Sequence, residues 1–369
     1  MKDIYYKNIF LYSSLQFTGN FEEYFVKHTE KLVAFVLMPR QQHDASLIRL
    51  YRKGKLVEEK NIKLSKNIFL YYSLWYIYQI IFLIKYFSRK EKIIVITFHP
   101  ISFFGTTIQK MVRNIEFVYW IADYFPPVNV SLRMFERLKR YYNSKIKYVC
   151  YLSDLINKKI NGQVISTNYH KTIMWGILPK EIRREFNANK FTILFVGVIR
   201  ESQGLEFVFE FLKTHKDYAV KVIGVGEENI FDKYKKVIKK NKIEDQVYFP
   251  NEFFSDTHLE ELSKKCQVGI ALYDIDETSA TYYTDPGKVK AYAALGLPII
   301  MSDVSSIAPY IRKFKCGEVI GKNNQELGEA LLKIKNNYPH YLKGLKEFNN
   351  YFFFDTYYKK SFNFLEKND

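Results

Sequence analysis

Thr284-Asp285-Pro286-Gly287-Lys288 is the stretch whose residue types and spacing most directly suggest chemistry, because it reads as a helix start built to hold an anion. Asp285 suits an N-cap and Pro286 the first helical position, where a missing amide hydrogen costs nothing. Gly287 would let a ligand approach the backbone, and Lys288 would set an ammonium beside first-turn amides that already favour negative charge. The helix VKAYAAL then stops at Gly296, Pro298 blocks its continuation, and the run IIM reads as the next buried strand. A second cradle follows the strand FTILFVG, where Arg200, Gln203 and Gly204 lie between Gly197 and another helix start. An arginine there could grip a phosphate oxygen through two N–H groups. The turn VIGVGEEN carries Gly224 and Gly226 but lacks the third glycine of a GxGxxG fingerprint, and no GxxxxGK[ST] occurs.

Such loops can meet a ligand only if strands deliver them to one edge of a sheet. In the first half, the apolar runs NIFLYSS from Asn8, LVAFVLMP from Leu32, IIVITF from Ile93, FVYWIAD from Phe117 and YVCYLS from Tyr148 predict buried strands. FEEYFVKHTEK, TTIQKMVRN and SLRMFERLKRYYN have helical patterning between them. The second half repeats the alternation, with FTILFVG, YAVKVIGVG, QVYFP, VGIALYD and LPIIMSD as strands. Its helices are LEFVFEFLKTH, IFDKYKKVIKKN, HLEELSKKC and the one beginning at Pro286. This predicts an α/β chain of two Rossmann-like, doubly wound domains facing a cleft. The limits expected are 1–178 for the first domain, a polar linker at 179–190, 191–335 for the second, and a helical tail at 336–369 packed outside the second sheet.

Residues 68–84, IFLYYSLWYIYQIIFLI, carry no charge and run on to Lys85, Arg89, Lys90 and Lys92. The run is slightly short for a membrane span and falls where a crossover helix belongs. A buried or partly buried helix is the expectation, with an interfacial membrane helix or a span as the alternatives.

The net charge of +17 is unevenly spread: residues 1–178 hold 27 Lys and Arg against 12 Asp and Glu, and the remainder 29 against 27. A basic first half attracts phosphates, nucleic acid or an anionic membrane surface. Cys150, Cys266 and Cys316 show no metal-type spacing, so neither a disulfide framework nor a zinc site is expected. The N-terminal MKDIYYKNIFLYSS lacks the apolar core and cleavage site of a signal peptide, which predicts a cytoplasmic protein.

FVGVIRESQGLEFV, GVGEEN, VYFPNEF and DPGKVKAYAALGLPIIMSD stand in the order and spacing of the nucleotide-sugar-dependent glycosyltransferases of the two-Rossmann-domain, GT-B type. The chain resembles a divergent member of their family 4-like group, glycosyltransferase group 1. The likeness is specific over about 191–303 and looser in the first half, through ITFHPISFFG, YWIADYFP and YVCYLSD. It implies that the loop from Gly197 to Gly204 faces a donor pyrophosphate, with Arg200 neutralising charge and Gly224 and Gly226 at the neighbouring turn. Phe249, Pro250 and Asn251 would line the base through the main chain. Tyr283, Thr284, Asp285, Pro286 and Gly287 would border the donor sugar, and Lys288 would neutralise the departing diphosphate. The family often has lysine where Gln203 stands, and its ribose-holding glutamate falls at Ala291, so one phosphate-binding charge is missing or moved.

His99 falls where the family often places a cleft histidine that contacts the sugar, and Asp123 could take a proton from the acceptor hydroxyl in an inverting reaction. Their alternatives are a structural hydrogen bonder and a turn cap. Asp274-Ile275-Asp276 has the DxD form of a metal site but ends a strand of the second domain, so it is read as a loop or acceptor-side element. The resemblance implies a metal-independent hexosyltransferase that uses no cofactor beyond its nucleotide-sugar co-substrate, for which a UDP-sugar is expected. The acceptor would be a cell-surface glycan or polyprenyl-linked saccharide at the inner membrane face, with no nucleic acid as partner. An epimerase on the same fold, a non-enzymatic anion- or nucleic-acid-binding protein and an inactive family member are the rivals.

Overall fold

The structure is a computed structural model that describes residues 3–13, 19–38, 46–185, 190–252 and 254–366. The chain forms two compact units. One extends to Gly176 and takes up the chain again at Phe354, and the other is Ile177–Phe353.

The first unit is built on β1 (Tyr6–Ser13), β2 (Thr29–Val36), β3 (Ser46–Arg52), β4 (Lys55–Ile62), β5 (Ile93–Thr97), β6 (Ile115–Ile121), β7 (Tyr148–Tyr151) and β8 (His170–Thr172). Their order in the sheet is β4-β3-β2-β1-β5-β6-β7-β8. All neighbours are parallel except β2–β3 and β3–β4. The five runs read as strands are β1, β2, β5, β6 and β7. The β3–β4 hairpin is additional: Lys53 and Gly54 both have positive φ, 48° and 80°, the geometry of a two-residue primed turn. Helices α1 (Phe21–His28), α2 (Ile68–Tyr86), α3 (Thr106–Val112), α4 (Val130–Lys145) and α5 (Asp154–Asn161) connect the strands. Thr29–Lys31, read as the end of a helix, instead open β2.

Helix α2 is capped by Asn67, whose side chain accepts from the Phe69 and Leu70 amides, and it buries Tyr71, Trp75, Gln79, Phe82 and Leu83. Trp75 stacks on Tyr12 of β1, and Phe82 packs edge-on against Phe35 of β2. A helix committed along one face to this sheet cannot cross a bilayer, so the span alternative is set aside although its length and composition would allow one.

The second unit contains β9 (Phe191–Val196), β10 (Tyr218–Ile223), β11 (Val247–Tyr248), β12 (Val268–Ala271), β13 (Ile299–Ser302) and β14 (Gly317–Ile320), all parallel, in the order β11-β10-β9-β12-β13-β14. Helices α6 (Leu205–Thr214), α7 (Glu228–Lys240), α8 (Asp256–Ser263), α9 (Ala280–Tyr283), α10 (Gly287–Ala294), α11 (Ala308–Phe314), α12 (Asn324–Asn336) and α13 (Tyr338–Tyr351) surround it. The order reverses between β9 and β12, the topological switch point at which doubly wound sheets open a ligand crevice. In the first unit the corresponding point lies between β1 and β5.

The expected tail divides: α13 stays with the second unit, and the chain beyond it does not. Helices α14 (Phe354–Ser361) and α15 (Asn363–Glu366) belong to the first unit, where Phe21 of α1 packs against Tyr358 and Phe362. Lys27 and His28 pair with Asp355, and the Tyr358 hydroxyl bridges Gly19 and Gly176. The aromatic face of α1 offers burial that the second sheet, already covered by α12 and α13, does not. Of the linker expected at 179–190, residues 186–189 lie outside the described residues. The part before them is held on the second unit by Lys180 N to Ala294 O and Glu185 N to Lys264 O.

Candidate functional site

Strand β9 ends at Val196, and the next residue, Gly197, has φ +126°, a conformation open to glycine. A Cβ on Gly224 would lie 1.9 Å from the Gly197 carbonyl oxygen, and one on Gly226 would lie 2.8 Å from that of Ile199. These two glycines therefore let the chains leaving β9 and β10 touch backbone to backbone. Asn251, itself at φ 54°, fixes the same turn by accepting from the Gly226 amide at 2.9 Å. Phe249 turns inward onto Phe231 and Phe209, leaving its main chain for any ligand, and Pro250 is half-buried beside it.

After Gly197 the chain passes exposed Arg200, makes one 3-10 turn through Gln203, and enters α6 at Gly204. Gly204 adopts φ +73° against Leu272, where a Cβ would come within 2.5 Å of that side chain. The α6 N-terminus has no side-chain cap, so its first amides lack a side-chain acceptor. The start of α10 is likewise uncapped, and a Cβ on Gly287 would meet nothing within 4 Å.

Lys288 reaches from α10 across the switch point. Its Nζ donates to Gln203 Oε1 at 2.5 Å, lies 4.2 Å from the Phe195 ring centre and 5.1 Å from that of Tyr273, and would be 3.7 Å from a Cβ at Gly197. Burial, and then the Arg200 guanidinium, bring its pKa down to about 7. Among the described residues no carboxylate forms an ion pair with Lys288 or Arg200. The charge absent at position 203 is thus delivered to the same place by Lys288, with the Gln203 amide oxygen orienting it.

Asp285 departs from expectation. The helix begins at Gly287 with Pro286 as its cap, and Asp285 turns inward, its carboxylate 3.7 Å from Lys290 Nζ. Lys290 is fully enclosed, its ammonium over the Phe352 ring, and a buried ammonium requires a counter-charge. Burial lowers the Lys290 pKa, and Asp285 opposes that shift. Tyr283 is buried with its hydroxyl 3.5 Å from Glu277, Thr284 is half-buried, and Ala291 sits half-exposed one turn beyond Lys288. The sequence reading also missed Tyr292, which accepts from the Val196 amide at 2.9 Å and donates to Ile270 O at 2.8 Å. Gly269 makes room for it: a Cβ there would lie 2.2 Å from the tyrosine ring. A tyrosine inside the VKAYAAL helix together with a glycine in the preceding strand was the available signal.

The two aspartates of the DxD segment diverge. Asp274 pairs with Lys322, and Asp276 accepts from the Thr278 amide and hydroxyl at 2.8 and 2.7 Å.

In the first unit, His99 and Asp123 follow adjacent strands, β5 and β6. His99 is enclosed by Trp75, Tyr72 and Phe135, with ring centres 4.3, 5.7 and 5.0 Å away. Its Nδ1 accepts from the Ile101 amide, which leaves the ring proton on Nε2. Burial, with Lys139 adding to it, lowers its pKa to about 3, so His99 is a neutral hydrogen-bond donor. Asp123 is exposed, and its main-chain carbonyl receives Lys139 Nζ at 2.6 Å. Lys139 also pairs with buried Glu136, which accepts from the Phe125 amide at 3.3 Å, so α4 clamps the loop and leaves the Asp123 carboxylate outside the clamp.

Residues 179–347 match the family model described as Glycosyl transferases group 1. A search of curated proteins returns no match. Among solved structures, WaaG, a glycosyltransferase involved in lipopolysaccharide biosynthesis, aligns over 98% of this chain and 100% of its own with TM-score 0.60 and 13% identity. Sucrose-phosphate synthase from Thermosynechococcus elongatus aligns over 98% of each chain with TM-score 0.71 and 11% identity. Anabaena HepE in complex with UDP aligns over 97% of this chain and 99% of its own with TM-score 0.67 and 12% identity. The second unit therefore belongs to the group 1 glycosyltransferases, and the chain as a whole carries the GT-B fold, of which it is a divergent member.

Proposed function

We propose that the protein transfers a sugar from a nucleoside diphosphate donor, UDP-linked, to a cell-surface glycan or lipid-linked saccharide. Lys288 carries this reading: a desolvated ammonium at the switch point, aimed by Gln203, with no carboxylate paired to it among the described residues. Cleaving a sugar–diphosphate bond leaves negative charge on the departing phosphate oxygens. Lys288, Arg200 and the uncapped starts of α6 and α10 stabilise that charge without reorganising. The engagement of Asp274 by Lys322 and of Asp276 by Thr278 supports a metal-independent reaction. Backbone at Phe249 to Asn251 receives the base, and the backbone of Tyr283 to Gly287, whose Tyr283 and Asp285 side chains are turned inward, borders the sugar. In the first unit, the Nε2–H of His99 donates to a sugar hydroxyl, and the Asp123 carboxylate takes the acceptor proton where configuration inverts. The basic first unit meets the acceptor at the anionic inner membrane face.

Calorimetric titration of wild type and Lys288→Met with UDP, ADP, GDP and dTDP tests this reading. UDP should bind best, and the substitution should weaken it by on the order of 10- to 100-fold, the worth of one charged hydrogen bond. If no nucleotide binds, or the variant binds as wild type does, the donor site is misplaced.

A further inference from the structure

The outward face of α2 inverts the usual pattern of a surface helix. With its inner side on the sheet, the stripe facing solvent is Leu70, Ser73, Ile77, Ile81 and Ile84, and Ile77 and Ile84 are 49% and 60% exposed. A crossover helix of a soluble α/β unit normally turns polar residues outward. Helix α3 lies beside it: Gln109 donates to the Tyr76 hydroxyl at 3.0 Å, and Arg113 to the Phe87 carbonyl at 2.8 Å. It adds Ile108 and Met111, which are 68% and 82% exposed. Together they form a contiguous apolar face of the kind that marks an interaction site.

Charge identifies the occupant. Residues 60–115, which contain both helices, carry nine Lys or Arg and a single acid, Glu91. That acid is already paired with Lys31 at 2.6 Å, and of the nine cations Lys60 and Lys85 pair with Glu58 of β4. Lys63 and Lys66 precede α2 and Arg89 and Lys90 follow it, so cations stand at both ends of the aliphatic stripe. A second copy of the chain packed isologously on this face would bring the two clusters of cations together, which disfavours a homodimer. Nucleic acid fits poorly, because the stripe itself is aliphatic and the exposed rings near it, Phe69 at the start of α2 and Phe104 before α3, lie outside the stripe. A bilayer bearing anionic headgroups satisfies both features: acyl chains receive the isoleucines, and the flanking lysines and arginines reach phosphates.

We propose that the α2–α3 face is an interfacial anchor, lying in the plane of an anionic lipid surface with Ile77, Ile81, Ile84, Ile108 and Met111 inserted. This deepens the membrane element of the proposed function and does not depend on the donor site. The test is co-sedimentation of the full chain with vesicles of phosphatidylcholine alone or with phosphatidylglycerol, with UDP binding measured in parallel. Wild type should sediment with phosphatidylglycerol vesicles and stay largely in solution with phosphatidylcholine. Ile77→Gln/Ile81→Gln/Met111→Gln, all at exposed positions, should reduce binding by about tenfold or more while UDP binding is unchanged. Arg89→Gln/Lys90→Gln should weaken binding at low salt and bring it closer to the level seen at high salt. Failure of wild type to bind phosphatidylglycerol vesicles, equal binding by the apolar triple variant, or a stable dimer that the triple variant dissolves would overturn the anchor. Vesicle binding without UDP binding would leave the anchor standing and remove the donor reading.

Discussion

Lys288 and Lys290 lie two residues apart on α10 and do opposite work. One projects toward the switch point with an amide oxygen as its partner, and the other is enclosed with Asp285 beside phenylalanine rings. Lys288 was legible in the sequence because Pro286 and Gly287 before it announce a helix start. The inward turn of Asp285 was not, since a capping residue type does not reveal a buried partner five positions later. The role of Gln203 is also a three-dimensional fact: only the fold shows that the cation lost there returns from α10. Replacing Gln203 with glutamate would set a carboxylate against Lys288, raising that ammonium's pKa. The unliganded protein should gain about 1–3 kcal/mol in unfolding free energy from the charged hydrogen bond, while UDP affinity falls at least tenfold. Denaturant unfolding with calorimetry measures both, and a loss of stability would contradict the geometry drawn for this pair.

At the scale of elements, the site depends on how α10 is fastened to the sheet. Tyr292 closes the gap between β9 and β12 through two backbone hydrogen bonds, and Gly269 exists to admit its ring. Tyr292→Phe should keep the packing and lose the bridge, leaving the part-buried Val196 amide and the buried Ile270 carbonyl each one partner short. A destabilisation of about 1–3 kcal/mol is expected in urea unfolding, with weaker UDP binding because the Lys288 helix loosens. An unchanged midpoint would show that the bridge is not structural. The strands flanking this lock were readable as apolar β-branched runs, since parallel strands are buried on both faces. The β3–β4 hairpin was not, because β4 is an exposed edge whose charges hide its alternation and only the Lys53-Gly54 turn signals it.

For the whole molecule, the repeated alternation of strand and helix was enough to fix the fold class, and the sheet order in the second unit follows the doubly wound scheme. What the alternation could not show was the return of α14 and α15 to the first unit, which depends on an aromatic surface of α1 assembled only on folding. In the proposed reaction the diphosphate is held by Lys288, whose pKa in the free protein is lowered to about 7 by burial. Phosphate binding restores that pKa toward the ordinary lysine range, so above about pH 7 each binding event must take up one proton. The most direct measurement is UDP affinity of the intact chain between pH 7 and 9, for wild type and Lys288→Met. Wild-type affinity should fall by a factor approaching tenfold per pH unit, with proton uptake visible in the buffer dependence of the binding heat, and the variant's profile should be flat. A flat wild-type profile, or the same slope in both proteins, would contradict this role of Lys288.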